Sequence, residues 1–342
     1  MLEFSEMPRN LVIKPLTWLG RFSAKLFWIV LWLFGLAVLA WYPMRWWPGD
    51  SFWPVRLVNY LMPWLLVGLL PGLVSAVLAR RVWLATTLAV PATLIGLVYA
   101  PLFLPRTSPA LAENQNLRVM SFNVWAGNHN IEAIDNLLRQ ARPDVLLLQE
   151  VTPGMALNIQ RIAPGLYPHG QYYWAYESDI GQAILSRYPL TPTAHSFEQG
   201  RVQKVVIHTD RGPVAVWNVH PSQPVPYYWQ YNQLRNLAHE ITAESLPLIV
   251  AGDFNTTDQS ETYRMVDEHL HNAHWDAGWG FGFSFPDPAR RFGGKVSFPS
   301  LVRIDHIFYS DHFYAARART VSDSAGSDHR PVIADLIPVA DD

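Results

Sequence analysis

The chain begins with three long apolar stretches and then changes rhythm. Leu26–Met44, Leu57–Ala79 and Val82–Pro105 contain no charged residue. A helix that crosses a bilayer needs about 20 mostly apolar residues. The pattern therefore predicts three spans, over 26–44, 57–79 and 82–104. The rival reading of the first stretch is a cleaved signal peptide, but two more apolar segments follow it and no small-x-small site stands clearly behind it. The rival count is two spans with an interfacial helix. Pro63, Pro71 and Pro91 lie inside these runs, where membrane helices tolerate proline better than soluble ones do. Arg80-Arg81 makes a tight polar turn, and Trp41, Trp46, Trp47 and Trp53 fall where an aromatic belt would sit. Asn59 reads as a helix-contact residue.

A small and polar linker, 106–116, separates this region from a different pattern. Short apolar runs read as buried strands at 118–125, 144–151, 182–190, 202–209, 213–220, 246–254, 303–310 and 330–339. Between them, Ile131, Ile134 and Leu138 space like one helix face, as do Leu234, Leu237 and Ile241, with a third helix expected near 261–270. Strands are too many and helices too few for a doubly wound sheet. The expected class is α+β: a two-sheet β-sandwich flanked by helices, preceded by a transmembrane region of about three spans. The expected domains are 1–105 in the membrane and 117–342 as a catalytic domain. No internal repeat is present.

Charge sharpens this division. Of 342 residues, 50% are hydrophobic and 16% charged, against roughly 25% charged in an ordinary soluble domain. Residues 1–106 hold nine Lys/Arg and three Asp/Glu (+6), and 107–342 hold 17 and 25 (−8), which accounts for the net −2. The basic residues flanking the apolar runs predict orientation. Arg9, Lys14, Arg21, Lys25, Arg80 and Arg81 stand against Arg45 and Arg56, so the N-terminus is expected in the cytoplasm. Three spans then place the second part outside, tethered to the plasma (inner) membrane. The absence of cysteine excludes disulfides, thiolate metal sites and a cysteine nucleophile. The spans carry no charge that suggests transport.

The second part holds a set of polar residues just after apolar runs, where open α/β sheets build sites. They are Asn123, Glu150, His220, Asp253, Asn255, Asp305, Asp328 and His329. Each alone reads as a cap or a structural residue. Together they are four carboxylates, two histidines and two asparagines.

MSFNVW, LLLQEV, GQAILSRYPL, VWNVHP, VAGDFNT, RIDHIF and GSDHRPV stand in the order found in the endonuclease/exonuclease/phosphatase superfamily. The chain resembles that superfamily over residues 117–338. It includes DNase-like nucleases, neutral sphingomyelinases and inositol polyphosphate phosphatases. The resemblance implies a DNase-like four-layer fold and metal-dependent phosphoester hydrolysis, with Mg²⁺ as cofactor or Mn²⁺ in its place. It implies that Glu150 is a metal ligand, and that Asn123 supports the metal or the phosphate. Asp253 and Asn255 would sit at the attacking water and the scissile phosphate. His329 would be the general base or polarise the phosphate, with Asp305 fixing its tautomer. Asp328 would bind metal or orient water. His220 would protonate the leaving oxygen or stabilise phosphate. A hard cation held by oxygen ligands neutralises the phosphoryl oxygens and the leaving alkoxide. An acid and a base on opposite sides of phosphorus complete the reaction.

Other residues read as structure. His306 should point to the opposite face from Asp305, and His269, His271 and His274 read as a solvated loop. Arg187 touches phosphate or braces the sheet edge, and Ser284 is a weaker candidate for the site. The second part stays acidic even with four carboxylates neutralised, and its densest basic cluster is Arg290, Arg291 and Lys295. A nuclease needs Lys/Arg against the phosphate backbone, so a lipid-linked or envelope phosphoester is favoured over nucleic acid. Two aromatic loops, 224–231 and 274–286, leave three readings open: surface packing, lipid contact or base stacking. The expected partners are the phosphoester substrate and the bilayer, with no obligate protein partner. The alternatives are a membrane-tethered extracytoplasmic nuclease, a non-catalytic binding module, and a transporter with a soluble accessory domain.

Overall fold

A computed structural model describes residues 10–105, 116–167, 170–193, 201–287 and 299–339, with side chains from residue 21 onward. Arg9, nearly all of the 106–116 linker, and Arg290, Arg291 and Lys295 lie outside the described residues. The chain divides into two compact units, the first Met1–Val58 with Met62–Val98 and the second Asn59–Leu61 with Tyr99–Asp342.

The first unit is helical: α1 (Asn10–Met44), α2 (Trp53–Tyr60), α3 (Leu65–Leu78) and α4 (Val82–Tyr99). Arg21–Met44 and Val82–Phe103 are each long and apolar enough to cross a membrane. The run expected as one span over 57–79 is instead bent by 75° between Tyr60 and Met62. Pro63 stands at the break, where it supplies no backbone donor to continue the helical ladder. Glycines let the helices approach closely. A Cβ on Gly68 would meet the Phe34 ring at 2.9 Å, and one on Gly35 would meet Leu88 at 3.0 Å. Trp41 is buried while Trp46, Trp47 and Trp53 are exposed, and Arg45 lies over the rings of Trp41, Tyr42 and Trp46.

The second unit is a sandwich of two six-stranded sheets. The first sheet contains β1 (Leu117–Asn123), β2 (Val145–Gln149), β3 (Tyr173–Glu177), β4 (Gln182–Ser186), β11 (Phe313–Thr320) and β12 (Val332–Pro338), in the order β11-β12-β1-β2-β4-β3. The second contains β5 (Leu190–Pro192), β6 (Val202–Thr209), β7 (Gly212–Val219), β8 (Leu248–Asp253), β9 (His271–Asn272) and β10 (Asp305–Tyr309), in the order β5-β6-β7-β8-β10-β9.

Three apolar clusters explain the layering. Val119, Val145, Leu147 and Ile184 of one sheet meet Val205, Val216, Ile249 and Ile307 of the other. The outer face of the first sheet, with Met120, Leu146 and Leu148, is covered by α5 (Ile131–Ala141) and α6 (Pro153–Ile162). The outer face of the second, with Trp217 and Val250, is covered by α7 (Tyr227–Ala243) and α8 (Glu261–Asp267). The result is the four-layer α+β sandwich expected from the strand runs. Strands buried on both faces read as unbroken apolar runs, as VLLLQ and LIVAGD do here.

Register brings the strand ends together. β1 pairs in parallel with β2, and β7 with β8, so the ends of these strands lie in one direction. β10 is antiparallel to β8 and places Asp305 opposite Asp253.

Candidate active site

Six segments deliver polar side chains to one end of the sandwich: the C-terminal ends of β1, β2, β7 and β8, the start of β10, and the loop before β12. They surround a cleft of about 570 Å³ lined by Glu150, His220, Asp253, Asn255, Asp328 and His329, with Trp125, Phe285 and Tyr60 among its other walls. All eight residues singled out from the sequence lie in or directly beneath it.

Asp253 is the centre of the cluster. It is buried, and one of its oxygens lies 3.6 Å from Nε2 of His220 and 3.6 Å from Nε2 of His329. Its other oxygen accepts from the Asn255 backbone N–H at 2.9 Å. Asn123 joins the two sheets here. Its amide donates to Glu150 Oε1 at 3.0 Å and to Asp253 Oδ2 at 3.1 Å. The second Glu150 oxygen accepts from Ala126 N–H at 3.0 Å. His329 Nδ1 bonds Asp305 Oδ2 at 3.0 Å, so Nε2 is the nitrogen that faces Asp253 and the cleft.

Local backbone explains several of these placements. A Cβ on Gly252 would lie 1.9 Å from the Val219 carbonyl oxygen, so glycine lets β8 run close beside β7 and brings Asp253 near His220. Trp125, Glu150 and Asn255 all adopt positive φ (59°, 57° and 51°). Such conformations in non-glycine residues cost of order 1–3 kcal/mol each and gather at functional sites. The Asn255 amide donates to Pro221 O at 3.1 Å, tying the ends of β8 and β7 together.

The electrostatics differ between the two histidines. Burial alone would lower His329, but the charges of Asp305, Asp253 and Asp328 and the Asp305 hydrogen bond raise it to about 10. Burial lowers His220 despite Asp253 and Glu150 nearby. Burial pushes Asp253 up, against the pull of His329. Glu150 is lowered: burial opposes its ionisation, but the bonds from Ala126 and Asn123 outweigh it.

The donor set suits a hard divalent cation. Glu150 and Asp328 offer carboxylate oxygens at the cleft wall, and Asp305 keeps a buried oxygen with no hydrogen-bond partner. Among the described residues, the tight group of metal-ligand type is Asp253, Asp305 and His329, rather than the Glu150, Asn123 and Asp328 set read from the motifs. In that group Asp305 holds His329 Nδ1 at 3.0 Å and Asp253 lies 3.6 Å from its Nε2, which is also the arrangement of an ion-pair cluster. The Asn123 amide, as oriented, presents its N–H groups to the carboxylates.

Other side chains fall elsewhere. Arg187 pairs with Asp144 at 2.8 Å and stays outside the cleft. His306 is buried, bonded to Thr256 O at 2.9 Å and packed on Phe254 and Tyr263. Ser284 accepts from the backbone N–H groups of Ile304 and Asp305 and braces the start of β10. His271 pairs with Asp311 in solvent, but His274 is buried and bonds Gly280 O, unlike the solvated residue expected. The sequence reading missed Ser327, whose hydroxyl donates to Asn123 O at 2.6 Å and accepts from His329 N–H at 3.1 Å. The aromatic loop 274–286 delivers Phe285, which lies 4.7 Å from the His329 ring, whereas Tyr60, whose hydroxyl donates to Asn255 O at 2.5 Å, was missed. Ser327 lies inside GSDHRPV, where nothing local marks its hydroxyl as the link between Asn123 and His329. Tyr60 has no local signal.

The family model for the Endonuclease/Exonuclease/phosphatase family matches residues 120–329, more than half of the chain. The chain belongs to this family. Its phosphoesterase fold recurs in solved structures. One is an endonuclease/exonuclease/phosphatase family protein from Bacteroides thetaiotaomicron (18% identity, 66% of this chain and 95% of that one, TM-score 0.52). Another is the mannosyl-6-phosphatase of B. thetaiotaomicron VPI-5482 (17%, 65% and 99%, 0.50). A third is a humanized D. rerio TDP2 with 14 mutations (15%, 65% and 98%, 0.51). These likenesses establish the fold. No curated protein matches the chain.

Proposed function

We propose that this family member is a divalent-metal-dependent phosphodiester hydrolase, tethered to the membrane and acting outside the cytoplasm on a lipid-linked or envelope phosphoester. One observation carries the reaction. A buried Asp253 oxygen lies 3.6 Å from both His220 Nε2 and His329 Nε2 at the floor of the cleft, and Asp305 holds His329 from behind.

Glu150 and Asp328 would hold Mg²⁺ or Mn²⁺, with Asn123 supporting Glu150. Such an ion supplies charge neutralisation at the phosphoryl oxygens and the leaving alkoxide. His329, cationic through neutral pH, polarises the phosphate rather than acting as base. Asp253, raised by burial, receives the proton of the attacking water, a task that favours a carboxylate of raised pKa. Water adds to phosphorus, the P–O ester bond breaks, and the products are a phosphomonoester and an alcohol. His220, neutral, directs its Nε2 into the same space and hydrogen-bonds the leaving oxygen, which takes its proton from solvent water. The −8 charge of residues 107–342 supports a lipid-type substrate over nucleic acid, for which Lys/Arg neutralisation is the main source of affinity.

The test is a Mg²⁺ and Mn²⁺ titration with a soluble chromogenic phosphodiester, followed by phospholipids, sphingomyelin, and single- and double-stranded DNA. Glu150→Ala should abolish metal-dependent turnover, and His329→Ala should lower it by about 10²–10⁴-fold. Wild-type rates in either variant refute the assignment. Faster turnover of DNA than of every lipid moves the substrate to the nuclease alternative.

A further inference from the structure

The long segment of the second unit begins at Tyr99, and its first turn packs on the aromatic loop 274–286. Tyr99 stacks on Trp275 and meets Phe281 edge-on. Phe103 meets both Trp279 and Phe281. Gly280 N–H donates to Leu102 O at 2.8 Å. His274 holds the loop from below through Gly280 O. Despite this packing, three large apolar side chains at the contact stay in the open: Trp279 is 64% exposed, Leu104 59% and Phe103 42%.

Their place in the chain identifies what covers them. Phe103 is the last residue of Val82–Phe103, a helical stretch long and apolar enough to cross a bilayer. If that stretch crosses, Phe103 stands at the bilayer surface and so does the ring packed on it. Tryptophan favours that level, because its ring is apolar and its N–H finds water and headgroups.

We infer that Trp279, with Phe103 and Leu104, docks the catalytic unit on the headgroup region of the bilayer. The same loop continues to Ser284, which caps the start of β10, and to Phe285, which lies against the His329 ring and lines the cleft. One short segment therefore runs from the membrane surface to the wall of the cleft. This deepens the proposed function: the cleft receives phosphoesters carried at a bilayer surface. It rests on reading Val82–Phe103 as a span.

The chain contains no cysteine, so single cysteines can be labelled in the full-length protein. Trp279→Cys, Leu104→Cys and Asp210→Cys would each carry an environment-sensitive fluorophore in vesicles containing lipids with a nitroxide near the headgroup. Leu104 marks the end of the span. Asp210 lies in the turn joining β6 to β7, at the end of the sandwich away from the cleft, and is exposed. The label at 279 should be quenched as far as the label at 104, and the label at 210 should keep its emission. Emission at 279 that behaves like that at 210 overturns the proposal. So does a blue shift at 279 that escapes nitroxide and grows with protein density, which would give the patch to a second copy of the chain. Hydrolysis of the soluble diester by the same vesicles is read in parallel. Its absence counts against the reaction, while quenching alone judges the docking.

Discussion

His306 sits one residue from Asp305 yet belongs to a different environment. It is buried on the helix-covered side of β10, with Nε2 facing Thr256 O and Nδ1 facing the Asn272 amide. Burial, then the nearby charge of Arg303, hold it well below an ordinary imidazole; the Thr256 bond opposes this and His274 adds to it. The folded protein therefore keeps His306 neutral at a pH where the unfolded chain binds a proton. Its contribution to stability is complete above about pH 6.5 and declines on acidification, by up to about 1.4 kcal/mol per pH unit. His329 has the opposite sign, since its raised value favours the folded state at low pH. Comparing urea unfolding of wild type and His306→Phe at pH 7 and pH 5 isolates the term. The variant should lose less stability on acidification. Equal losses would remove His306 from the account. Such pairs were only half legible in the sequence. Asp305 and His329 stood out because a polar residue ended an apolar run, and period-2 alternation separated His306 from its neighbour. The burial that sets the two histidines apart comes from chain segments remote in sequence.

At the scale of elements, strands buried on both faces were legible and edge strands were not. β2, β6, β8 and β12 coincide with apolar runs, whereas β3 and β11 escaped. β11 alternates buried Phe313, Ala316 and Ala318 with exposed Tyr314, Arg317 and Arg319, and its small buried residues give a weak signal. A polar layer between the sheets was also hidden. Gln149 Nε2 donates to Asn218 Oδ1 at 2.7 Å, and the Asn218 amide donates to Leu148 O at 2.9 Å and Ala183 O at 3.2 Å. Gln182 Nε2 reaches Asn218 O at 3.2 Å. In sequence these amides look like the solvent-facing members of their strands, but their solvent is the opposite sheet. They lie one or two residues below Glu150 and His220 and fix the strands that carry them. Asn218→Leu would remove its bonds to Gln149, Leu148 O and Ala183 O, although Gln149 Nε2 keeps Ser121 Oγ at 3.2 Å, at about 0.5–1.5 kcal/mol for each bond lost. The expected result is a lower thermal midpoint for metal-free protein. An unchanged midpoint would mean that the sheets do not depend on this layer.

The whole molecule depends on which side of the bilayer the cleft faces, and that follows from the number of crossings. The 75° bend between α2 and α3 allows two topologies: one broken span, or a re-entrant pair that returns to the side it left. Arg81 bears on the choice within the first unit. Its guanidinium lies 4.3 Å over the ring of Trp28, near the start of the Arg21–Met44 stretch. The α3–α4 turn is therefore on the same side as Arg21 and Lys25. If α1 crosses to the Trp46–Trp53 belt, the broken segment has to bring the chain back, which is one net crossing. The basic residues then gather on a single face, as the positive-inside rule requires of the cytoplasmic one. Arg45 on the other side is screened by three aromatic rings. A crossing by α4 would then leave the C-terminus outside. Alkaline phosphatase fused after Asp342 should be active in a bacterial host, and a green fluorescent protein at the same point dark. The reverse pattern would restore the re-entrant pair and put the acidic cleft in the cytoplasm, facing soluble phosphoesters and nucleic acids instead of the outer surface of the membrane.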